Sequence, residues 1–315
     1  MRTILFDLVI FLTLFIAAEI ALRVFTPETK RLIFTENITG GHEISYNEYG
    51  LRDEAFPIQK PRTERRILAL GNSTTFGSGV AASETWPKAL QEKLGKKWRV
   101  INAGGQGSTL PEAIKFLEDT GLEFDPEIII LGVSPSMITA SKAKRSSFMP
   151  IHKALHASYA YSAFDFYVRK NLYRLGILRD DLNALYPYSE EAKEDYERFT
   201  RDLLQLQKLA QEKNIDLLLV GIPASFEVSD TPQVNPRRFP LDQIRIHPLK
   251  QIANTSKKTG MVFTDLTAAL RAVSDPYIEG DYTHLNAQGH EAAAQAILQR
   301  ILLLSSRAKP RDLAR

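Results

Sequence analysis

LALGNSTTFGSGV, residues 68–80, is an apolar run that ends at Gly71 and is followed by two glycine-containing turns. Ser73 stands where the chain must change direction. A serine in such a place is either the N-cap of the helix that follows or a nucleophile. This stretch alone does not distinguish the two interpretations. The distinction depends on which other residues the fold places near Ser73.

Short apolar runs closed by Gly, Asn, Asp or Pro recur along the chain. Continuous runs of this length are typical of strands that are buried on both faces, as in a parallel sheet. They are RRILAL (65–70), WRVIN (98–102), EIIIL (127–131), IDLLLVGIP (215–223) and MVFTDL (261–266).

Helical patterns separate these runs. In the longest, Tyr196, Phe199 and Leu203 begin an apolar stripe at three- and four-residue steps, with charged residues opposite. The alternation predicts an α/β fold with a doubly wound parallel sheet. The tyrosine- and lysine-rich segment 138–188 fits no strand and is predicted to be a helical insertion. The predicted helices are 85–95, 110–121, 189–213 and 286–304.

Candidate functional residues fall in the loops that leave the predicted strands. Ser73 follows the first strand, 104–109 the second and 134–137 the third, so all three loops meet at one edge of the sheet. Asp281 and His284 precede the last helix and would reach the same edge. A serine becomes nucleophilic when a base takes its proton and a carboxylate orients that base, which these two residues can do.

Composition and motif spacing exclude several other functions. The 315 residues carry 40 basic and 37 acidic side chains in a mixed order, so no nucleic-acid partner is expected. The absence of cysteine excludes disulfides, thiolate zinc sites and a cysteine nucleophile. The histidines lack metal-ligand spacing and the glycine stretches lack phosphate-loop spacing, so neither a metal nor a cofactor is predicted. His290 is expected to face the helix surface or to pack locally.

The first residues suggest a membrane anchor. Residues 4–22 form a nearly unbroken apolar run that is long enough to span a bilayer, and a cleaved signal peptide is the alternative. The anchor predicts a membrane protein with a single span and an extracytoplasmic, periplasmic domain. The predicted organisation is an anchor (1–23), a linker and lead-in (24–64), a domain with its insertion (65–305) and a basic tail (306–315).

LALGNSTTFGSGV, VINAGGQGST (100–109) and DYTHLNAQGH (281–290), in this order, resemble blocks I, II and V of the SGNH hydrolases, the GDSL-type esterases. The resemblance covers roughly residues 46–304, including the lead-in NEYGLRDEAF (47–56) that often accompanies membrane-anchored members. It implies a three-layer α/β/α flavodoxin-like fold. It also implies Ser73 as nucleophile, His284 as base and then acid, Asp281 as the orienting carboxylate and Gly107 as an oxyanion donor.

The chain departs from the family pattern at two points. Asn72 replaces the aspartate of block I, and an amide can still hydrogen-bond there. Block III, GxND in the family, reads GVSPSM (132–137), so Ser134 or Ser136 stands where the family has an amide donor. Loss of one oxyanion donor costs on the order of 10²–10³ in rate unless a hydroxyl, a water or another loop compensates.

The resemblance leaves several functions open. A serine esterase would cleave acyl esters, and an acylated polysaccharide is one candidate substrate. An O-acyltransferase would pass the acyl group to a sugar hydroxyl through the same residues. A binding protein that has lost catalysis is the alternative suggested by the missing amide, and a lipase or thioesterase is a further one. The oligomeric state is not encoded in any pattern that we identify.

Overall fold

The computed structural model describes residues 2–25, 38–139, 190–229, 248–279 and 281–307, together with the single residues 158, 160, 161, 164 and 168. Contacts between Cα atoms divide the chain into two compact units. The first contains residues 1–44 and 144–179, and the second contains 45–143 and 180–315. Most of the predicted insertion over 138–188 lies outside the described residues.

The first unit contains helix α1 (Arg2–Phe25) and an antiparallel hairpin of β1 (Ile38–Thr39) and β2 (His42–Glu43). The structure does not support the predicted span over 4–22: within the part of the chain that it describes, no helix combines the length and the apolarity that crossing a membrane requires. Glu19, inside the predicted span, accepts hydrogen bonds from the Ser158 hydroxyl and the Ala160 N–H.

The second unit is built on a five-stranded parallel sheet. The five apolar runs form its strands, as predicted, and the spatial order β4-β3-β5-β6-β7 is that of doubly wound, flavodoxin-like sheets. The chain therefore reverses its direction of winding between β3 and β5. The strands are β3 (Arg65–Gly71), β4 (Trp98–Gly104), β5 (Ile128–Val133), β6 (Asp216–Gly221) and β7 (Val262–Asp265).

Helices cover both faces of this sheet. The four predicted helices are confirmed to within three residues at each end, and α8 is an addition that sequence reasoning missed. The helices are α2 (Ser73–Phe76), α3 (Trp86–Leu94), α4 (Leu110–Asp119), α5 (Pro135–Thr139), α6 (Glu190–Glu212), α7 (Ser225–Val228), α8 (Pro248–Thr259), α9 (Thr267–Arg271) and α10 (Ala287–Arg307).

Alternation along the strands produces two cores. Leu68 and Leu70 of β3 point to one face, where they pack with buried residues of α4, α6 and α8. Ile67 and Ala69 point to the other face and pack with α3, α9 and α10. Both sets are fully buried, which is why the strand reads as a continuous apolar run rather than an alternating one. The second unit therefore has the predicted three-layer α/β/α architecture.

Glycines stand in register at the ends of β3 and β4 and one residue before the end of β5. Gly71 of β3 pairs with Gly104 of β4 and Gly132 of β5. A Cβ atom on Gly104 would lie 2.2 Å from the Phe76 nitrogen, and one on Gly132 would lie 2.4 Å from Thr75 Oγ1. The absence of side chains thus lets α2, which begins at Ser73, sit directly on the ends of the strands.

Candidate active site

Ser73 is the first residue of α2, immediately after β3. The N-cap is Asn72, whose side-chain oxygen accepts from the Thr74 N–H at 3.2 Å. The interpretation of Ser73 as the N-cap is therefore wrong, because Asn72 is the N-cap of α2. The Ser73 carbonyl accepts from the N–H groups of Gly77 and Ser78 at 3.0 Å each, which closes the turn behind the serine.

Ser73, His284 and Asp281 form a continuous chain of hydrogen bonds. Ser73 Oγ lies 2.9 Å from His284 Nε2, although the two residues are 211 positions apart in the sequence. His284 Nδ1 lies 2.7 Å from Asp281 Oδ2. The structure thus brings together the three residues that the sequence predicted to act together, with the order and distances of a catalytic triad.

Asp281 is held as an anion. Burial by itself raises its pKa, but hydrogen bonding and charge attraction from His284, with the N–H groups of Thr283 and His284, outweigh burial and lower the pKa below its ordinary value. The two N–H groups donate to Oδ1 at 2.7 and 3.0 Å, which leaves Oδ2 for the imidazole. A carboxylate in this state fixes the ring so that Nδ1 carries the proton and Nε2 faces the serine.

The loop after β5 meets the loop after β3 through side chains. Asn72 Nδ2 donates to Ser134 Oγ at 2.9 Å and to Ser136 Oγ at 3.0 Å, and the two hydroxyls lie 2.9 Å apart. The predicted hydrogen-bonding role of Asn72 is confirmed. Both candidate serines lie beside it, Ser134 buried and Ser136 half-buried, at the point where the sheet reverses its winding.

Gly107 lies in the loop after β4. It is exposed and has a φ of 68°, a left-handed conformation that favours glycine. The same loop is tied to the nucleophile strand by a hydrogen bond of 3.1 Å from the Gly105 N–H to the Gly71 carbonyl. The oxyanion role of Gly107 stays a prediction, since its amide makes no contact with Ser73 that would test it.

Two buried side chains lie behind the site, and sequence reasoning missed the first of them, Arg52. Arg52 is 2% exposed and His290 is 1% exposed. His290 packs locally, which confirms one of the two predicted alternatives. Its Nδ1 accepts from the Trp86 N–H at 3.1 Å. Burial, followed by the charges of His284 and Arg52, lowers the pKa of His290 to about 3, so the ring is neutral. The sequence feature that could have pointed to Arg52 was its position within the lead-in 47–56.

No group of three or more His, Asp or Glu side chains that could hold a metal ion occurs among the described residues. The triad and the Asn72 cluster are built for proton transfer and hydrogen bonding.

Glu227, on α7, is expected to make stability depend on pH. Burial raises its pKa to about 7, helped by the charge of Asp265 and opposed by backbone hydrogen bonds such as that from the Ala224 N–H. The folded protein therefore favours the neutral carboxyl, and the free energy of unfolding falls as the pH rises from 4.5 to 7. At pH 8 the free energy of unfolding of Glu227→Gln should exceed that of the wild type by on the order of 3 kcal/mol, and its urea midpoint should be higher. At pH 5 the gain should be small.

The matched control is Glu92→Gln, which changes an exposed glutamate on α3. It should leave the urea midpoint unchanged at both pH values. Equal midpoints for the wild type and Glu227→Gln at pH 8 would contradict the prediction, and so would a gain of the same size at pH 5.

Comparisons with known proteins give structural matches only. No protein-family model and no curated protein matches the chain. A carbohydrate acetylesterase family member from Sinorhizobium meliloti is 14% identical, with 77% of this chain and 99% of that chain covered and a TM-score of 0.47. A GDSL-like lipase from Bacteroides thetaiotaomicron is 13% identical, with 78% and 92% covered and a TM-score of 0.44. A catalytic mutant of an acetylxylan esterase from Geobacillus stearothermophilus is 16% identical, with 77% and 96% covered and a TM-score of 0.43.

Proposed function

We propose that this chain is a serine hydrolase of the SGNH type that cleaves acyl esters, with Ser73 as its nucleophile. The observation that carries the proposal is the chain of hydrogen bonds from Ser73 Oγ through His284 to Asp281, which joins opposite ends of the sequence. A buried cap or a packing serine has no need of an imidazole that is itself oriented by a carboxylate.

The residues support acylation in one proton-coupled sequence. His284 Nε2 takes the proton of Ser73 Oγ as Oγ forms a bond to the ester carbonyl carbon, and the carbonyl electron pair moves to oxygen. The tetrahedral species then collapses, the carbon–oxygen bond to the alcohol breaks, and the proton on Nε2 passes to the leaving oxygen. Asp281 stays ionised throughout and stabilises the imidazolium.

Deacylation repeats the same steps with another oxygen nucleophile. Water gives up a proton to His284, attacks the acyl-serine, and releases a carboxylic acid together with free Ser73. If a sugar hydroxyl attacks instead, the product is an ester of that sugar and the protein acts as an O-acyltransferase. The proposal names the esterase, because water needs no acceptor site. Its candidate substrates are small acyl esters, including those of acylated polysaccharides.

The oxyanion needs hydrogen-bond donors that are in place before the reaction. The N–H of Ser73, at the start of α2, is one donor and the N–H of Gly107 is a second. The Asn72 cluster supports a third. Asn72 Nδ2 donates to both serine hydroxyls, which lie 2.9 Å apart in the loop after β5. We propose that one of these hydroxyls takes the place of the missing block III amide.

Ser136 is the better placed of the two serines, because it is half-buried whereas Ser134 is buried. We expect Ser136→Ala to lower kcat by about 10- to 100-fold with little change in KM, since the contact forms only in the transition state. Ser134→Ala leaves the half-buried Ser136 and Asn72 in place and should lower kcat less. Steady-state hydrolysis of p-nitrophenyl acetate measures both. A Ser136→Ala variant with the kcat of the wild type would remove the hydroxyl from the mechanism.

Location is a separate proposal. The apolar run over 4–22, with Phe11 and Leu14 of α1 each 64% exposed, supports membrane attachment of the full chain. An extracytoplasmic location of the second unit is part of this proposal, although the charges that flank the run do not set its orientation. Recovery of the full-length chain in the membrane pellet after a high-salt wash is the expected result. Recovery in the supernatant would refute attachment.

A fluorophosphonate probe tests the catalytic proposal on the full chain. The probe should label the folded wild type once, on the peptide that contains Ser73, and the labelled protein should lose p-nitrophenyl acetate hydrolysis in proportion. A folded wild type that is neither labelled nor active would favour the binding-protein alternative, in which the missing amide has ended catalysis. Labelling at a different serine would reject the assignment of the nucleophile.

A further inference from the structure

Arg52 is a buried cation that contacts the helix of the nucleophile. Its Nη1 donates to the carbonyl oxygens of Phe76 at 3.2 Å and Gly77 at 2.6 Å, and its Nη2 donates to that of Val80 at 2.7 Å. The guanidinium carbon lies 5.0 Å from the centre of the Phe76 ring. One side chain from the lead-in thus holds the end of α2 and the loop after it.

The contacts of Arg52 are dipoles rather than ions. No carboxylate lies within ion-pair distance of Arg52 among the residues that the structure describes, and burial lowers the pKa of the guanidinium from its ordinary value. A buried charge without an ionic partner is expensive and persists where several hydrogen bonds replace its water. The carbonyls at the end of a helix suit a cation, because they lack helical partners and carry partial negative charge.

Gly77 links Arg52 to the nucleophile directly. Its carbonyl accepts from Arg52, and its N–H donates to the carbonyl of Ser73 at 3.0 Å. Displacement of Gly77 therefore displaces the peptide that carries the nucleophile. The next residue in the lead-in acts on the neighbouring strand, since Asp53 pairs with Lys88 and accepts from the Asn102 N–H of β4 at 2.8 Å.

We propose that Arg52 is a positioning residue, which holds α2 so that Ser73 Oγ stays in line with His284 Nε2. The proposal rests on the proposed hydrolase function, but its effect on α2 does not depend on catalysis. A misplacement of the nucleophile by about 1 Å costs on the order of 100-fold in rate. Loss of the three contacts should therefore lower kcat by about 10- to 100-fold and leave KM within about twofold.

Arg66 provides the matched control. It is also fully buried and also donates to three backbone carbonyls, those of Pro57, Ile58 and Phe124, and it pairs with Glu64. It stands near the start of β3, whereas Ser73 follows the end of that strand. Loss of Arg66 should therefore destabilise the fold without moving the nucleophile.

The experiment compares Arg52→Gln, Arg52→Lys and Arg66→Gln in the full chain. Measured for each are the thermal midpoint, kcat and KM per active site titrated with fluorophosphonate, and hydrogen–deuterium exchange of the peptide that covers 73–80. Both Arg52 variants should lose kcat, the lysine less because its ammonium group keeps a charged donor near these carbonyls, and exchange over 73–80 should rise. Arg66→Gln should lower the thermal midpoint and keep the kcat of the wild type and its exchange at 73–80.

The other outcomes overturn either the role of Arg52 or the hydrolase function on which it rests. Arg52 is only a structural residue if Arg52→Gln keeps kcat per titrated site while its thermal midpoint falls as in Arg66→Gln, or if neither Arg52 variant folds. An inactive wild type refutes the proposed hydrolase function. Hydrogen–deuterium exchange over 73–80 then tests, without an activity readout, whether Arg52 holds α2. Unchanged exchange in Arg52→Gln means that the side chain does not hold α2.

Discussion

Ser73→Ala should lower p-nitrophenyl acetate hydrolysis by at least about 10⁴-fold and abolish fluorophosphonate labelling. Within the part of the chain that the structure describes, the Ser73 hydroxyl is the oxygen that lies against His284 Nε2, at 2.9 Å, so its loss removes the group that would form the acyl-enzyme. The fold should survive the change, because Asn72 rather than Ser73 caps α2. The thermal midpoint should therefore stay close to that of the wild type, which separates loss of the nucleophile from loss of structure.

Ser274→Ala is the control for this variant. Ser274 is exposed, and its hydroxyl contacts Asp275 at 3.4 Å. Its removal should change neither hydrolysis nor labelling. If Ser73→Ala kept more than about a tenth of the wild-type rate while remaining folded, the nucleophile would have to be sought elsewhere and the triad would be structural.

Asp281→Asn should lower kcat by about 10⁴-fold with an unchanged fold. Asn can keep its Oδ1 as the acceptor for the N–H groups of Thr283 and His284, which places its NH₂ group against His284 Nδ1. That contact is a hydrogen bond only if Nδ1 is an acceptor, so the ring proton moves to Nε2. The imidazole then donates to Ser73 instead of accepting from it, and the base is lost.

The pH profile distinguishes this effect from general damage. In the wild type, Asp281 has a lowered pKa and remains ionised at acidic pH, so protonation of this carboxylate should not lower kcat there. Asp281→Asn should be slow at every pH, since a wrong tautomer is not corrected by removing protons. Asp119→Asn, which changes an exposed partner of Lys115 on α4, is the matched control. A fall below tenfold in Asp281→Asn would show that the carboxylate does not set the tautomer.

Much of the fold could be predicted because the signals are local. Runs such as RRILAL are buried on both faces of the sheet, and the observed β3 and β4 extend their runs by one and two residues to Gly71 and Gly104. Helix α8 was missed because its stripe is weak: Leu249 and Ile252 are buried, but a polar residue, Ser256, follows in the same row. Its burial is decided by the neighbouring α6 and β7, which no local pattern contains.

The residues of the site also divide into those that a sequence motif predicts and those whose contacts depend on the fold. Ser73, Asp281 and His284 were predictable because each stands in a motif whose order along the chain is informative. Arg52 was not, since its partners are three backbone carbonyls, which every residue type provides. The contact between Asn72 and both serines was predictable only in part. The sequence placed either Ser134 or Ser136 at the block III position, whereas in the structure both hydroxyls accept from Asn72.

The long separation between Ser73 and His284 has a consequence for the order in which the protein is made. At about 5–20 residues per second, a ribosome that has completed Ser73 needs roughly another 10 to 40 s to reach the histidine. During that interval the growing chain carries its nucleophile without a base, and a product truncated before residue 281 would carry it permanently. On the proposed mechanism, hydrolytic activity can therefore arise only after residue 284 has been made, and a copy that ends before residue 281 should be inactive.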